Sequence, residues 1–127
     1  MKKYFLLLAI LLVSVNEAAA QLKKEVVIFS QPCHYCDLMK QDLKEKIIPA
    51  NPDIRFTILD IQEERNYKLL LEYAKRHKIR GNSIGMPLLF AGDNHLMGWG
   101  PNASEQLQQY IKALKQEKMS RLPSAAL

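Results

Sequence analysis

Residues 26–36 of the chain read VVIFSQPCHYC, and this stretch is the most informative part of the sequence. Its apolar beginning, residues 26–29, is typical of a buried strand, and the residues after Cys33 are typical of a helix. Cys33 and Cys36 are the only two cysteines in the chain. The N-terminus of a helix has free N–H groups and partial positive charge, which favour a thiolate over a thiol. The stretch therefore places a dithiol where a strand meets a helix, an arrangement suited to thiol–disulfide exchange.

The cysteine pair has two other interpretations, a structural disulfide and a metal site. A disulfide across two intervening residues closes a loop too short to constrain much of the chain. One Cys-x-x-Cys pair also lacks the second pair of ligands that a closed zinc site needs. His77 and His95 are isolated in the sequence and are predicted to be surface or strand residues without a catalytic or metal role. The spacing favours a redox-active dithiol, and we predict no metal site.

The first 20 residues have the pattern of a signal peptide. Residues 2–3 are lysines, residues 4–15 are an apolar run of 12, and residues 18–20 are alanines that precede a cleavage point before Gln21. A retained membrane anchor is the alternative, but a spanning helix needs about 20 apolar residues. We therefore predict a cleaved signal peptide and a periplasmic or secreted protein, in a compartment where disulfides persist.

Length and charge narrow the class of protein. The chain has 127 residues, a length that suits one domain with its own core, and a formal net charge of +5, which is compatible with ordinary solubility. We assign this domain to residues 21–118 and predict a disordered tail at residues 119–127. Basic residues are not interleaved with aromatic ones in any run, so nucleic acid is not an expected partner. Contact with a membrane is expected only transiently, through the signal peptide.

The remaining pattern predicts an α/β domain. The predicted strands are residues 25–29, 54–61, 87–91 and 95–99, and the predicted helices are residues 34–48, 63–78 and 104–116. Pro49 and Pro52 would end the first helix, residues 92–94 would form the hairpin turn, and Ser104 would be the last N-cap. In the order β-α-β-α-β-β-α, the first two strands are parallel and the last two antiparallel. The expected fold is a mixed four-stranded sheet flanked by helices.

A second segment points to a known family. Gly85-Met86-Pro87 leads into the apolar residues 88–90, ahead of the predicted hairpin. Together with residues 27–36, it resembles the minimal thioredoxin fold of glutaredoxin-like proteins, in the superfamily that includes the exported Dsb-type oxidoreductases. The resemblance covers about residues 24–116. It implies activity as a thiol–disulfide oxidoreductase, a cis peptide bond between Met86 and Pro87, and binding of an extended substrate by these two residues.

The resemblance also implies roles for the four residues of the dithiol segment. Cys33, at the start of the helix, would be the nucleophile, and Cys36 would resolve the mixed disulfide. His34 and Tyr35 would tune the redox potential. A protonated His34 would stabilise the Cys33 thiolate and hence the reduced form, which makes a stronger oxidant. Tyr35 would also contact partner proteins, and no cofactor is implied.

Departures from the related families bear on the substrate. Gln31 stands where glutaredoxins usually have a basic residue, and residues 98–102 lack the aspartate with which they hold glutathione. Val27 stands where thioredoxins often have a buried acid. Glutathione is therefore a doubtful partner. The expected partners are the thiols and disulfides of exported proteins and a redox partner protein.

The sequence leaves three functions open. The first is a periplasmic or secreted thiol–disulfide oxidoreductase that exchanges disulfides with exported proteins. The second is a glutathione-linked reductase of the glutaredoxin type, and the third is a redox-inert binding or assembly protein with the same fold. The direction of net electron flow is open as well, because oxidants, reductants and isomerases share the same dithiol.

Overall fold

The computed structural model describes the backbone of residues 24–126 and the side chains of residues 24–117. The predicted signal peptide and its cleavage point lie outside these residues. The elements are β1 (Lys24–Ser30), α1 (His34–Asp42), a π-helical stretch (Leu43–Ile47), α2 (Ile48–Ala50), β2 (Ile54–Asp60), α3 (Glu64–Arg76), a 3-10 turn (Gly81–Ser83), β3 (Leu88–Ala91), β4 (Asn94–Met97) and α4 (Ala103–Ala126). Within the described part, no helix has the length and apolar character needed to cross a membrane.

The four strands form one mixed sheet in the order β2-β1-β3-β4. β1 pairs in parallel with β2 along its full length. On its other side it pairs antiparallel with β3, where Phe29 lies opposite Leu88 and Val26 opposite Ala91. β3 in turn pairs antiparallel with β4. The predicted fold class is confirmed, and the central place of β1 explains its continuous apolar run, because such a strand is buried on both faces.

Helices cover both faces of the sheet, and the side chains of β1 alternate between two apolar clusters. Val26 and Ile28 pack against the helices α1 and α4 on one face. Val27 and Phe29 pack on the other face, where α3 contributes Leu70 and the partly buried Tyr73. The loop that carries the two cysteines thus follows directly from a central strand whose last five residues are buried.

The sequence predicted that the first helix ends before Pro49, but in the structure the helix continues past this proline. α1 passes into the π-helical stretch, and α2 carries the helix through Pro49 to Ala50. The N–H of Ile48, just before the proline, donates to the carbonyl of Leu43 in the π-helical pattern. The chain leaves the helix at Asn51, whose side-chain N–H donates to the carbonyl of Ile47 at 2.8 Å.

The last helix begins earlier and ends later than predicted. Asn102 occupies the N-cap position, because its carbonyl accepts the first intrahelical bond at 3.0 Å, so the assignment of Ser104 as N-cap was wrong. The helix continues past residue 116 to Ala126. Of residues 117–122, all but Ser120 are good helix formers, which favours an extension of the helix past residue 116. The predicted domain limits stay predictions.

The hairpin is tighter than predicted. Ala91 pairs with Asn94, so the turn consists of Gly92 and Asp93 alone. Gly92 has a φ of 61°, a left-handed conformation that glycine adopts at little cost. After the hairpin, the buried Trp99 donates its indole N–H to Asp42 at 2.9 Å. This bond fixes the chain that precedes α4 against the end of α1.

The C-terminus of α3 has a lysine where glycine is usual. The N–H of Ile79 donates to the carbonyl of Ala74 at 2.8 Å, and that of Lys78 to Lys75 at 3.1 Å, which is the bonding of a Schellman motif. Lys78 has a φ of 59° and so occupies the left-handed region. A residue with a side chain is strained there by about 1 kcal/mol.

Candidate functional site

Cys33 and Cys36 form a disulfide at the N-terminus of α1, with their Cα atoms 5.1 Å apart. Cys33 is the N-cap residue and has extended backbone angles, φ −161° and ψ 155°. Its Sγ accepts a hydrogen bond from the backbone N–H of Cys36 at 3.0 Å. A sulfur therefore occupies the place of the side-chain oxygen of serine, threonine, asparagine or aspartate in most helix caps.

The two cysteine residues differ in burial. Cys33 is half-buried, whereas Cys36 is fully buried on the inner side of α1. After reduction, a thiolate on Cys33 would face the N–H of Cys36 and the positive end of the helix, and both stabilise negative charge. The arrangement gives Cys33 access to another molecule and gives Cys36 access only to Cys33.

His34 and Tyr35 occupy the first turn of α1 and extend toward solvent. Tyr35 is 56% exposed, and its ring packs edge-on against that of His34 with centroids 5.4 Å apart. The structure thus places both side chains on the surface that carries the disulfide. Their tuning of the redox potential stays a prediction.

Met86 and Pro87 lie at the same end of the sheet as the disulfide. The pairing of Phe29 with Leu88 places the chain before β3 beside the chain that leaves β1 toward Cys33. The peptide bond between Met86 and Pro87 is cis, as the sequence predicted. Pro87 is buried, and its carbonyl accepts from the N–H of Gly98 at 2.7 Å. The placement suits a docking segment, and substrate binding there stays a prediction.

The surroundings of the dithiol contain no buried carboxylate from β1. Val27, at the position of the acid in many thioredoxins, is 6% exposed and packs in the cluster that includes α3. In the part of the chain that the structure describes, histidine, cysteine, aspartate and glutamate side chains do not gather in threes or more to hold a metal ion.

The sequence did not reveal a histidine cluster at the opposite end of the sheet. His77 and His95 are half-buried and lie with ring centroids 5.4 Å apart, and the ring of Phe90 is 4.6 Å from that of His77. Burial lowers the pKa of His77 from its ordinary value of 6.5, and His95 lowers it further, while Asp93 opposes the shift. The two histidines are 18 positions apart, so only the docking of α3 on the hairpin brings them together.

Comparison with known proteins supports the fold through structure alone. The chain matches no family model, and no curated protein matches it either. It is similar to mitochondrial thioredoxin 3 from Saccharomyces cerevisiae in its oxidised form, with 25% identity and a TM-score of 0.52 over 80% of this chain and 89% of that one.

Two further structures are similar. One comes from a study of thiol resolution in a yeast mitochondrial 1-Cys peroxiredoxin through the glutathione and thioredoxin systems, with 24% identity and a TM-score of 0.52 over 80% of this chain and 88% of that one. The other is a glutaredoxin from Archaeoglobus fulgidus, with 21% identity and a TM-score of 0.49 over 73% and 91%. The chain has a thioredoxin-like fold with a Cys-x-x-Cys pair, and this combination supports thiol–disulfide oxidoreductase chemistry in general.

Proposed function

We propose that the protein exchanges disulfides with exported proteins through Cys33 and Cys36. The observation that carries the proposal is the asymmetry of the pair: a half-buried cysteine caps the helix and is bonded to a fully buried one. A merely structural disulfide has no need of an accessible sulfur at a helix N-terminus. A disulfide that reacts with other molecules needs one accessible atom and one protected atom.

The exchange would proceed in two steps that balance. In the reducing direction, the Cys33 thiolate attacks one sulfur of a substrate disulfide and expels the other as a thiolate, leaving a mixed disulfide. Cys36 then loses its proton, attacks the Sγ of Cys33 and expels the second substrate thiolate. Two electrons pass from the cysteine pair to the substrate, and the reverse sequence oxidises a substrate dithiol.

Met86 and Pro87 would hold the substrate during this exchange. They precede β3 at the end of the sheet where the disulfide lies. An extended peptide could form β-type hydrogen bonds with exposed backbone in this position, as peptides do at sheet edges. We assign the substrate class as unfolded or extended protein segments that contain thiols or disulfides.

The location of the protein is part of the proposal and rests on the sequence of residues 1–20. The test is to express the full chain in a bacterial host and to determine the N-terminal residue of the recovered protein and the cell fraction that contains it. We expect the recovered protein to begin at Gln21 and to fractionate with periplasmic or secreted proteins. An intact N-terminus in the cytoplasmic fraction would contradict the export step while leaving the redox chemistry open.

The exchange itself is tested by trapping. A Cys36→Ser variant cannot release a substrate from Cys33. It should therefore accumulate mixed disulfides of high mass that a reducing agent cleaves. The matched controls are Cys33→Ser and the double variant, which should form none. If the folded Cys36→Ser variant forms no adduct, the redox-inert alternative is favoured. If the adducts contain glutathione alone, the glutaredoxin-type alternative is favoured.

A further inference from the structure

The chain that leaves β4 lies between two parts of the proposed site. We call residues 97–99 the bridging segment, and residues 86–87, which precede β3, the docking segment. Met97 lies opposite Leu88 in the sheet, and Leu88 lies opposite Phe29. The bridging segment is therefore at the same end of the sheet as the dithiol, beside the docking segment.

Two contacts join the bridging segment to the docking segment. The N–H of Gly98 donates to the carbonyl of Pro87 at 2.7 Å. The side chain of Met97 lies against Gly85, where an added β carbon would be 3.3 Å from the Cγ of the methionine. Gly98 has a φ of 80°, a left-handed conformation that favours glycine. The position of the docking segment thus depends on where the bridging segment lies.

Trp99 joins the same segment to the helix of the dithiol. It is the only tryptophan of the chain and is 5% exposed. Its indole N–H donates at 2.9 Å to Asp42, the last residue of α1, and its ring packs in the apolar cluster that contains Met39 of that helix. A buried indole N–H needs an acceptor, and a carboxylate makes the bond charge-assisted. Trp99 thus fixes the bridging segment against α1.

Asp42 makes its closer contact with the indole. The ammonium of Lys46 is 3.8 Å from the carboxylate, and 63% of the lysine side chain is exposed, so this ion pair contributes little. The indole bond joins residues 57 positions apart. Two hydrogen bonds from adjacent residues, Gly98 and Trp99, therefore connect the docking segment to the helix whose N-terminus carries the dithiol.

We infer that Trp99 and Asp42 are positioning residues that set the distance between the docking segment and the dithiol. The inference rests on the proposed exchange of disulfides with extended protein segments. A displacement of about 1 Å between reacting groups can lower a rate about a hundredfold. A substrate that contacts both the docking segment and Cys33 depends on this distance. A small disulfide that contacts Cys33 alone does not.

The test uses four variants of the full chain at a temperature where all are folded. Trp99→Phe removes the indole N–H and keeps an aromatic ring in the cluster. Asp42→Leu removes the acceptor, whereas Asp42→Asn retains an acceptor oxygen and should restore the bond. The matched control is Lys115→Met. It removes another tertiary hydrogen bond, from Lys115 to Asn51 at 2.9 Å, which joins α4 to the chain before β2 at the end of the sheet away from the dithiol.

Each reduced protein is mixed with one of two disulfides, and the rate of its oxidation is measured. One is an unstructured peptide with a single disulfide, and the other is dithiobis(nitrobenzoate), a small disulfide without a peptide backbone. The rate with the peptide should fall about tenfold in Trp99→Phe and Asp42→Leu, and should stay near that of the parent in Asp42→Asn and Lys115→Met. The rate with the small disulfide and the redox potential should be the same in all, because Cys33 keeps its place as the helix cap.

Hydrogen exchange at Gly98 measures the link without any redox reaction. Its N–H should exchange with solvent about tenfold faster in Trp99→Phe and Asp42→Leu, because the bond to Pro87 opens more often when the bridging segment is released from α1. The exchange should be unchanged in Asp42→Asn and Lys115→Met.

Three results would overturn the inference while leaving the proposed function intact. Unchanged exchange at Gly98 in Trp99→Phe would show that the indole bond does not hold the docking segment. An equal loss of rate with both disulfides would place the effect on the dithiol itself. A loss as large in Lys115→Met would show that stability alone matters. If the parent reacts with the small disulfide but not with the peptide, the proposed exchange with extended segments is wrong, and the positioning role is wrong with it.

Discussion

Two helix termini at opposite ends of the sheet show how this domain uses residues that are not the most stabilising choice. At the N-terminus of α1 the cap is a cysteine, where an oxygen-bearing side chain caps most helices. At the C-terminus of α3 the left-handed residue is a lysine, where glycine is usual. Between them, the clusters on either face of β1 are ordinary apolar packing. The two helix ends thus provide reactivity and charge, while the apolar clusters on the sheet provide stability.

The largest difference between the two ends should appear in thiol reactivity. In the reduced protein, Cys33 should be alkylated on the order of a hundredfold faster than Cys36 at mildly acidic pH, because it is accessible and its thiolate is stabilised by the helix N-terminus. Peptide mapping after a time course of labelling measures the two rates. The control is the same protein in denaturant, where the rates should converge. Faster labelling of Cys36 would reverse the assigned roles.

The next effect concerns the residue beside the cap. If a protonated His34 stabilises the Cys33 thiolate, His34→Ala destabilises the reduced form and the disulfide becomes harder to reduce. The potential should become more negative by about 30 mV, a tenfold change in the equilibrium with a dithiol buffer. Tyr35→Phe, which keeps the ring, serves as the control and should leave the potential nearly unchanged. An unchanged or less negative potential for His34→Ala would show that the helix N-terminus, and not His34, sets the redox potential.

A smaller effect tests the opposite terminus. Lys78→Gly should stabilise the fold by up to about 0.5 kcal/mol, because glycine relieves about 1 kcal/mol of left-handed strain and loses roughly 0.5–1 kcal/mol through its greater freedom in the unfolded chain. Urea unfolding measures the change. Lys78→Ala removes the same charge without relieving the strain, so it should not stabilise. Disulfide exchange should be the same in both variants, and equal stability of the two would show that Lys78 is not strained.

The smallest effect is the pH dependence of stability that comes from His77, at the end of the sheet opposite the dithiol. Burial, and then His95, hold the pKa of His77 in the folded protein below 6.5, so the unfolded chain binds the proton more readily. The stability from the neutral ring is complete above pH 6.5 and declines as the pH falls from there through the folded-state pKa. His77→Phe keeps the ring against Phe90 and cannot titrate, so urea unfolding between neutral and mildly acidic pH should show a flatter dependence. If the stability of His77→Phe depends on pH as steeply as that of the parent, a group other than His77 is responsible for the dependence.

The features that depend on a few adjacent residues were predicted correctly from the sequence. The apolar residues 26–29 predicted a buried strand, and the spacing of Cys33 and Cys36 predicted the dithiol at the start of a helix. The cis bond before Pro87 was implied by the resemblance of residues 85–90 to the thioredoxin family. Each depends on a few adjacent residues whose geometry is restricted. The strands and α3 therefore ended within two residues of their predicted limits.

The features that the sequence missed depend on contacts between distant residues. The helix continues through Pro49 because the π-helical stretch before it changes the bonding. Lys78 takes a glycine-like conformation because α3 must end where Ile79 can pack inward. His77 and His95 meet only after the hairpin docks on α3. Composition and periodicity contain no signal for such pairings, because they describe one segment at a time.

The central position of β1 has a consequence for the order in which a nascent chain can fold. β1 is the first described strand to be synthesised, yet its antiparallel neighbour β3 begins only at Leu88. A ribosome that has reached residue 80 has made β1, β2 and α3, but one edge of the central strand β1 still lacks its partner. Unpaired apolar strands of this kind are exposed to aggregation and to chaperones during synthesis. β1 is thus the first described strand to be synthesised, but its pairing on both edges is complete only after β3 has been made.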